Sequence, residues 1–451
     1  MSTSIPAAGA EPARASLRGG RGELPGGASA DLRVAFVSTY PPRACGIGTF
    51  TRDLAQGLQA LPQPVGVAVA AINGAGEQYD YEPIVRLEME EGNPQSYVEA
   101  ALRLNRMRRV DLVSVQHDYG KFGVWRDQFE EDYLLPMLEA LAKPVVVTMH
   151  SVAPNPNELM RRTVRGMGER VDAIVVMANL AKVLLQEEYG LGEAALARVR
   201  QIPHGVPACA GTRHPLSLEA AKRALGLSGH RVISTFGLLN EGKGIEYAIE
   251  AVPALVARYP DLVYLVIGET HPEVRKLRGE GYRNELLGLV RRLGVGRHVR
   301  FVNRFLAQAE LVRYLAASDV YVTPYLSRYQ ITSGTLAYAL GCGKAIVSTP
   351  YLYAAEALAE GRGLLAEFRN AESLAKAIDQ VLGNPELRRH IERQAAAYGR
   401  EMAWSAVAAR YRQLFCAVLG REASPSPTRD GPVDAWQAEL EPASVAAGVA
   451  G

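Results

Sequence analysis

The polar run Thr332-Ser333-Gly334-Thr335, which precedes an apolar helical stretch, is the segment of the chain whose residue types most clearly suit ligand binding. A helix that begins there offers free backbone amides and hydroxyls at its N-terminus, which is a ready site for an anion. The alternative is that a threonine or the serine only caps the helix. Because four such residues occur in a row, we predict that this segment binds a phosphate.

Lys243 is the second candidate, and it lies in a glycine-containing loop (236–244) that follows a predicted strand. A cation at the beginning of a helix opposes the helix dipole, so its presence calls for a reason. A diphosphate bound between Lys243 and nearby amides would supply one. A solvated surface lysine is the alternative. We predict a catalytic role for Lys243 at a phosphate.

Two histidines follow predicted buried strands in the first half of the chain. His117 ends one strand and His150 ends the next, at the carboxyl ends that face ligands in parallel sheets. Either could be a hydrogen-bonded structural histidine, but two in equivalent positions favour at least one contact to substrate. We predict that His150 is catalytic and that His117 is a candidate contact to an acceptor or sugar.

Gly46 and Gly48 lie in the loop after the first predicted strand (41–48). Glycine lets a backbone approach a ligand closely, and the helix that follows points its positive end at the loop. An ordinary tight turn would explain the same residues, since short glycine patterns are weak signals. We assign both glycines to the donor site as a prediction.

Positioning these residues requires a parallel sheet, and the chain has the pattern for two. Short β-branched runs alternate with helical patterns, which indicates doubly wound α/β domains. The predicted strands are 32–38, 65–72, 111–115, 144–149, 172–177 and 199–202, and then 231–236, 263–267, 299–302, 320–323 and 345–348.

Between the two series, residues 207–215 are rich in Pro, Gly, Ala and Thr, which indicates a hinge. We therefore predict two tandem Rossmann-like domains, 31–207 and 208–403, that face each other across a cleft. A last helix, 404–420, either packs back on the first domain or forms a plain core stripe. Residues 1–30 and 421–451 have the composition of a disordered arm and a disordered tail.

Composition narrows the class of protein. Hydrophobic residues make up 48% and charged residues 22% of 451, which is typical of a folded globular chain. A net charge of +2 gives no argument for nucleic acid as a partner, and no apolar run is long enough to span a membrane. The four cysteines are widely spaced, so we expect reduced thiols, no metal site and a cytoplasmic location.

At this point the sequence resembles the retaining glycosyltransferases of family four. The run that begins at Gly341 (341–349), the Gly-Lys-Gly loop, the segment 202–205 and Asp319 before its strand carry the resemblance, which covers about residues 32–420. It implies the GT-B architecture, with the acceptor on the first domain and the donor nucleotide on the second. It also implies a sugar nucleotide as co-substrate, no cofactor and no metal, and it places Glu356 at a donor-binding position.

The chain departs from the family at three positions. Gln330 and Tyr338 stand where the family has a pair of glutamates, of which the first meets the sugar and the second grips the ribose, and Leu238 replaces an arginine. Gln330 keeps hydrogen-bonding capacity toward sugar hydroxyls but cannot stabilise positive charge as a carboxylate does. The chain thus resembles a divergent branch of the family, with Gln330 still assigned to donor binding.

The resemblance implies transfer of a hexosyl group from a nucleoside diphosphate sugar to a hydroxyl acceptor, with retention at the anomeric carbon. A glycoside phosphorylase of the same fold is one alternative, and a sugar-nucleotide-binding protein without catalysis is another. The sequence leaves open the nucleotide base, the sugar, the acceptor and the oligomeric state.

Overall fold

The computed structural model describes residues 32–126, 128–207 and 217–422. The predicted arm, and most of the predicted hinge and tail, lie outside these residues. Within them, no helix is both long enough and apolar enough to cross a membrane.

The first domain is built on a seven-stranded parallel sheet in the order β3-β2-β1-β4-β7-β8-β9. Its strands are β1 (Leu32–Ser38), β2 (Val65–Asn73), β3 (Val85–Glu90), β4 (Leu112–His117), β7 (Val145–Met149), β8 (Ala173–Val176) and β9 (Val199–Gln201). A small antiparallel hairpin, β5 (Gly123–Trp125) and β6 (Phe129–Asp132), follows β4. Central strands such as β7 are buried throughout because helices cover both faces of the sheet.

The second domain repeats the design with a six-stranded parallel sheet in the order β12-β11-β10-β13-β14-β15. Its strands are β10 (Arg231–Phe236), β11 (Leu262–Ile267), β12 (Val299–Val302), β13 (Val320–Thr323), β14 (Ile346–Ser348) and β15 (Leu364–Leu365). In both sheets the strand order reverses beside the first strand, and such switch points open a crevice at the carboxyl ends of the strands. The prediction of two doubly wound α/β domains is confirmed.

Helices connect the strands and cover the sheets. Those of the first domain are α1 (Gly46–Gln59), α2 (Pro94–Arg106), α3 (Leu134–Ala140), α4 (Glu158–Arg170), α5 (Asn179–Glu187) and α6 (Glu193–Leu196). Those that follow are α7 (Leu218–Ala224), α8 (Ile245–Arg258), α9 (Pro272–Arg278), α10 (Gly281–Arg292), α11 (Gln308–Ala316), α12 (Gly334–Gly341), α13 (Leu352–Ala357), α14 (Ala371–Gly383), α15 (Pro385–Glu401) and α16 (Trp404–Val418). A single 3₁₀ turn, Glu241–Lys243, precedes α8.

Helix α16 returns to the first domain and packs on α1. A Cβ added to Gly57 of α1 would lie 3.1 Å from the Cβ of Ala408, so the two helices touch closely at small residues. Tyr411 is buried, and its hydroxyl lies 3.0 Å from Oγ1 of Thr148 at the end of β7. The last helix of the chain therefore ties the second domain back to the first.

The chain crosses between the domains twice, and the two crossings run side by side. The Val206 amide donates to the Met402 carbonyl (2.8 Å), and the Trp404 amide donates to the Val206 carbonyl (3.1 Å). Gly205 allows this contact, because a Cβ there would lie 2.2 Å from the Trp404 ring.

The sequence-based expectation of reduced thiols is wrong at Cys342, which is disulfide-bonded. Cys45 and Cys416 are free, and Cys209 lies outside the described residues. Distant positions in the sequence gave no sign of a pairing, since sequence separation says nothing about proximity in the fold. The cysteines therefore give no argument for a reducing compartment.

Candidate active site in the interdomain cleft

The glycine loop after β10 carries Lys243 to the carboxyl edge of the second sheet. Gly244 has a left-handed backbone (φ 60°), and a Cβ there would lie 2.1 Å from the Pro324 carbonyl oxygen, so only glycine fits. Lys243 Nζ lies 3.9 Å from the centre of the Tyr325 ring. Among the described residues no carboxylate pairs with Lys243, which leaves its charge available to a ligand.

Helix α12 begins beside this lysine. The Tyr325 hydroxyl lies 2.5 Å from Oγ1 of Thr335, in the first turn of α12, so one aromatic side chain links Lys243 to the helix N-terminus. A Cβ on Gly237 would lie 3.1 Å from the Thr335 methyl group, which places the loop after β10 against the same turn. The predicted phosphate-binding lysine and the predicted phosphate-binding helix start are therefore neighbours.

The N-terminus of α12 is capped and still has open amides. Ser333 is the N-cap, and its hydroxyl accepts from the Leu336 amide at 3.2 Å. Within the described part of the chain, the amides of Gly334 and Thr335 have no acceptor. The hydroxyl oxygen of Thr332 is buried and has no partner there either. Capping therefore uses one residue and leaves two amides open, and binding of a phosphate to them stays a prediction.

Gln330 is turned toward its own loop. Its Nε2 donates to the Thr332 carbonyl at 2.8 Å, so the carboxamide supports the segment that leads into α12. A contact between Gln330 and a sugar stays a prediction.

Tyr338, at the position of the family's ribose-gripping glutamate, contacts the other domain. Its hydroxyl lies 3.3 Å from Oδ2 of Asp53 on α1 and accepts from Nε2 of Gln308 at 3.1 Å, and Gln308 also donates to Asp53. Asp53 is 5% exposed and pairs with Arg52. Burial and the neighbouring Asp53 raise the pKa of Tyr338 to about 12, so the phenol stays protonated and can donate. Sequence reasoning missed Asp53 and Gln308, which give no local signal.

Glu356 also spans the domains. Its two carboxylate oxygens accept from the backbone amides of Asn179 (2.9 Å) and Leu180 (3.0 Å), and Gln201 Nε2 donates to it at 3.2 Å. Helix α5 has no side-chain cap of its own at Ala178, so the second domain supplies the cap and a negative charge at the positive end of the helix. Glu356 is engaged in a domain contact here, and its predicted contact with the donor stays a prediction.

His150 lies at the carboxyl end of β7 with Nε2 2.9 Å from Oε1 of Gln116. Burial, with smaller effects of His204 and His117, lowers the pKa of His150 to about 3, so the imidazole is neutral at pH 7. Its ring packs edge-on against Phe50 of α1 at 4.8 Å between centroids. Because the amide oxygen of Gln116 only accepts, Nε2 carries the ring hydrogen, and Nδ1 of the neutral imidazole can accept one further hydrogen bond.

His117 is 1% exposed, and within the described residues neither ring nitrogen has a hydrogen-bond partner. It packs among Tyr119 and Phe122, and burial lowers its pKa to about 4, with Asp118 acting in the opposite direction. In this arrangement the ring is enclosed, so a contact with an acceptor or sugar requires movement and stays a prediction.

The two glycines of the first loop differ in their surroundings. A Cβ on Gly48 would lie 3.3 Å from the backbone of Thr39, so this glycine allows α1 to pack closely against the end of β1. Gly46, the first residue of α1, has no atom within 4 Å of such a Cβ, and its face is open. The tight-turn interpretation therefore suits Gly48, and Gly46 keeps space for a ligand.

No group of three or more His, Cys, Asp or Glu side chains within the described ranges could hold a metal ion.

The chain is similar to known glycosyltransferases. Residues 219–398 match the family model described as glycosyl transferases group 1. A phosphatidyl-myo-inositol mannosyltransferase of Mycolicibacterium smegmatis is 26% identical over 288 residues, or 63% of this chain and 67% of the relative. A D-inositol 3-phosphate glycosyltransferase of Corynebacterium glutamicum is 28% identical over 216 residues, or 47% of this chain and 50% of the relative.

Solved structures share the fold over more of the chain. Sucrose-phosphate synthase from Thermosynechococcus elongatus has a TM-score of 0.68 at 20% identity and covers 86% of this chain and 100% of its own. Anabaena HepE, crystallised with UDP and glucose, has a TM-score of 0.66 at 14% identity with the same coverage. Residues 219–398 are therefore similar to the glycosyl transferases group 1, and the two domains of the chain share the GT-B fold of these solved structures.

Proposed function

We propose that this chain transfers a glycosyl group from a nucleoside diphosphate sugar to a hydroxyl acceptor. One observation carries the proposal: Tyr325 contacts both Lys243 and the Thr335 hydroxyl, so the lysine lies beside the open amides at the beginning of α12. An unpaired cation beside a helix N-terminus suits a diphosphate and no neutral ligand. His150 on the first domain lies across the cleft, where an acceptor would enter.

In the proposed reaction, the bond between the anomeric carbon and the diphosphate oxygen breaks while the acceptor oxygen bonds to that carbon, and the proton of the acceptor hydroxyl passes to the departing diphosphate. Negative charge develops on the departing diphosphate, and Lys243 and the α12 amides stabilise it, a type of interaction often worth a few kcal/mol. His150 orients the sugar or the acceptor. We extend the proposal to retention at the anomeric carbon on the resemblance to the retaining family.

The glycoside phosphorylase is a second candidate because of one observation. The hydroxyl of Tyr338 is bonded to Asp53 and Gln308, so residue 338 does not offer the carboxylate that grips a ribose in the family. A phosphorylase needs the phosphate site and no ribose site. Formation of a sugar 1-phosphate from an oligosaccharide and inorganic phosphate, without nucleotide, would establish it.

The test combines binding with turnover. Thermal stabilisation is measured with a panel of nucleoside diphosphates, their sugars and inorganic phosphate, and turnover is followed as release of nucleoside diphosphate with a panel of hydroxyl acceptors. A ligand at about 100 times its dissociation constant stabilises by roughly 2.7 kcal/mol. We expect a selective shift with one nucleotide, followed by turnover.

The variant Lys243→Ala should lose both the shift and at least roughly 100-fold in turnover, because it removes charge stabilisation of the leaving group. Lys376→Ala is the matched control, since it removes an equal charge from the exposed face of α14. Full activity in Lys243→Ala would contradict the proposal. Binding without turnover would favour the non-catalytic binding protein.

A further inference from the structure

His204 lies in the first of the two crossings between the domains and touches both. It is 8% exposed. Its ring centroid is 5.1 Å from that of Phe50 in the first domain and 6.4 Å from that of Tyr338 in the second. A buried polar side chain at this junction has few hydrogen-bond partners, and these partners determine which of its two ring nitrogens carries the hydrogen.

The hydrogen bonds fix the tautomer of His204. Nδ1 lies 2.6 Å from the carbonyl oxygen of Gly205, and because a carbonyl only accepts, Nδ1 carries the hydrogen. In the neutral ring, Nε2 then has a lone pair and no hydrogen. Among the described residues Nε2 has no hydrogen-bond partner, although the residue is more than nine-tenths buried.

The free nitrogen points at the beginning of α12. A Cβ added to Gly334 would lie 3.2 Å from Nε2 of His204, so this nitrogen faces the first residue of the helix. Gly334 also carries one of the two amides that the cap leaves open. A phosphate bound to these amides would therefore lie against Nε2, where a lone pair would repel its oxygens.

We propose that His204 is a further ligand of the phosphate at the N-terminus of α12, and that it binds this phosphate as an imidazolium after taking up a proton from solvent. In that state Nδ1 donates to the Gly205 carbonyl and Nε2 donates to a phosphate oxygen. The inference rests on the proposed function in one respect, namely that a diphosphate occupies this position.

The charges around His204 agree with uptake of a proton on binding. Burial lowers the pKa of His204 to about 4, so the ring is neutral at pH 7 while the site is empty. A nearby phosphate favours the charged form and raises that pKa. The titratable groups that face the ring are His150 from the end of β7 and Tyr338 from α12. The hydroxyl of Tyr338 contacts Asp53 of α1, which is paired with Arg52.

Trp404, the remaining contact, lies on α16 and does not titrate. Among the described residues, burial and the Gly205 carbonyl are the causes that set the pKa of His204, and no side-chain charge is one of them.

The proposal is tested by calorimetric titration of the full chain with uridine, guanosine and adenosine diphosphates and with pyrophosphate. The enthalpy of binding is measured in buffers of different ionisation enthalpy at pH 7.0, which gives the number of protons taken up. His204→Asn is the test variant, because its amide can still donate to the Gly205 carbonyl while Nε2 is removed. His298→Asn is the matched control, because His298 is 5% exposed and its Nδ1 also bonds a backbone carbonyl, that of Leu262; both variants are checked by thermal melting.

We expect wild type and His298→Asn to take up about one proton, and His204→Asn to take up none and to bind on the order of ten-fold more weakly. If His204→Asn melts early, wild type alone decides: a histidine Nε2–H signal in its ¹⁵N spectrum that appears only with ligand supports the inference. Unchanged proton uptake in His204→Asn, or none in wild type, overturns it. Uptake through His204 with pyrophosphate but with no nucleoside diphosphate would keep the inference and overturn the proposed donor. Absence of binding by every phosphate overturns both.

Discussion

The substitution Tyr338→Glu restores the family's residue, and we expect it to destabilise this protein. Tyr338 and Asp53 are 9% and 5% exposed, and the tyrosine hydroxyl lies 3.3 Å from the aspartate oxygen. Because a glutamate side chain is shorter by about 2 Å, the two carboxylates would lie roughly 5 Å apart, where like charges at an effective dielectric constant near 20 repel by about 3 kcal/mol. Loss of the tyrosine hydrogen bonds adds about 1 kcal/mol.

The repulsion has a distinctive pH dependence. Burial and Asp53 should raise the pKa of the new carboxyl group in the folded state above its unfolded value of about 4.3. The variant is then least perturbed below about pH 4, where the group is protonated, and its free energy of unfolding falls relative to wild type as the pH rises. Tyr338→Phe, which removes only hydrogen bonds, should cost about 1 kcal/mol at every pH.

The assay is urea-induced unfolding at pH 5, 6 and 7, with a double variant that adds Asp53→Asn. Removal of the aspartate charge should return most of the electrostatic loss, since the two carboxylates are in direct contact range. A pH-independent loss, or a double variant no more stable than Tyr338→Glu alone, would refute the placement of Tyr338 against Asp53 across the cleft.

Two further predictions concern the domain contact and the buried histidines. Glu356→Gln leaves one of the α5 amides without an acceptor and removes the charge at the helix N-terminus, so the free energy of unfolding measured in urea should fall by about 1–2 kcal/mol. The control Glu360→Gln changes an exposed ion pair and should lower the free energy of unfolding much less. Equal losses in the two variants would contradict the cap. His117, His150 and His204 have pKa values lowered from 6.5 to about 4, 3 and 4 by burial, so the unfolded chain binds more protons below about pH 6.5 and stability falls as the pH drops from there toward 4. Each histidine contributes at most about 1.4 kcal/mol per pH unit, and His117→Asn should reduce the measured slope between pH 6 and 5, whereas an unchanged slope would show that this ring titrates normally.

The strands of both domains follow from local patterns, and most predicted ones lie within a few residues of the observed elements. The strands that were missed have weak patterns of their own: β3 is only partly buried and carries charged residues, the hairpin strands β5 and β6 have three and four residues, and β15 has two. Helix α1 begins at Gly46 without a capping side chain, so the local sequence does not mark its first residue. Such boundaries depend on the packing of the loop rather than on propensity.

In the candidate site, too, some features follow from the local sequence and others do not. Lys243 and the segment that begins α12 were predicted from their own neighbours in the sequence, since a loop between a strand and a helix fixes its geometry over a few residues. His117 illustrates the limit of such reasoning: the position at a strand end is right, but the side chain is enclosed by aromatic rings that the strand pattern does not predict.

By itself the sequence determined the two α/β domains, the loop that carries Lys243 and the helix start beside it, because hydrophobic period and turn chemistry act over a few residues. The tertiary structure alone decided what Tyr338 and Glu356 contact. Tyr338 meets Asp53 across 285 residues of chain, and Glu356 meets Asn179 across 177. Such partners are determined by the packing of one domain against the other, and the local sequence around each residue does not predict that packing.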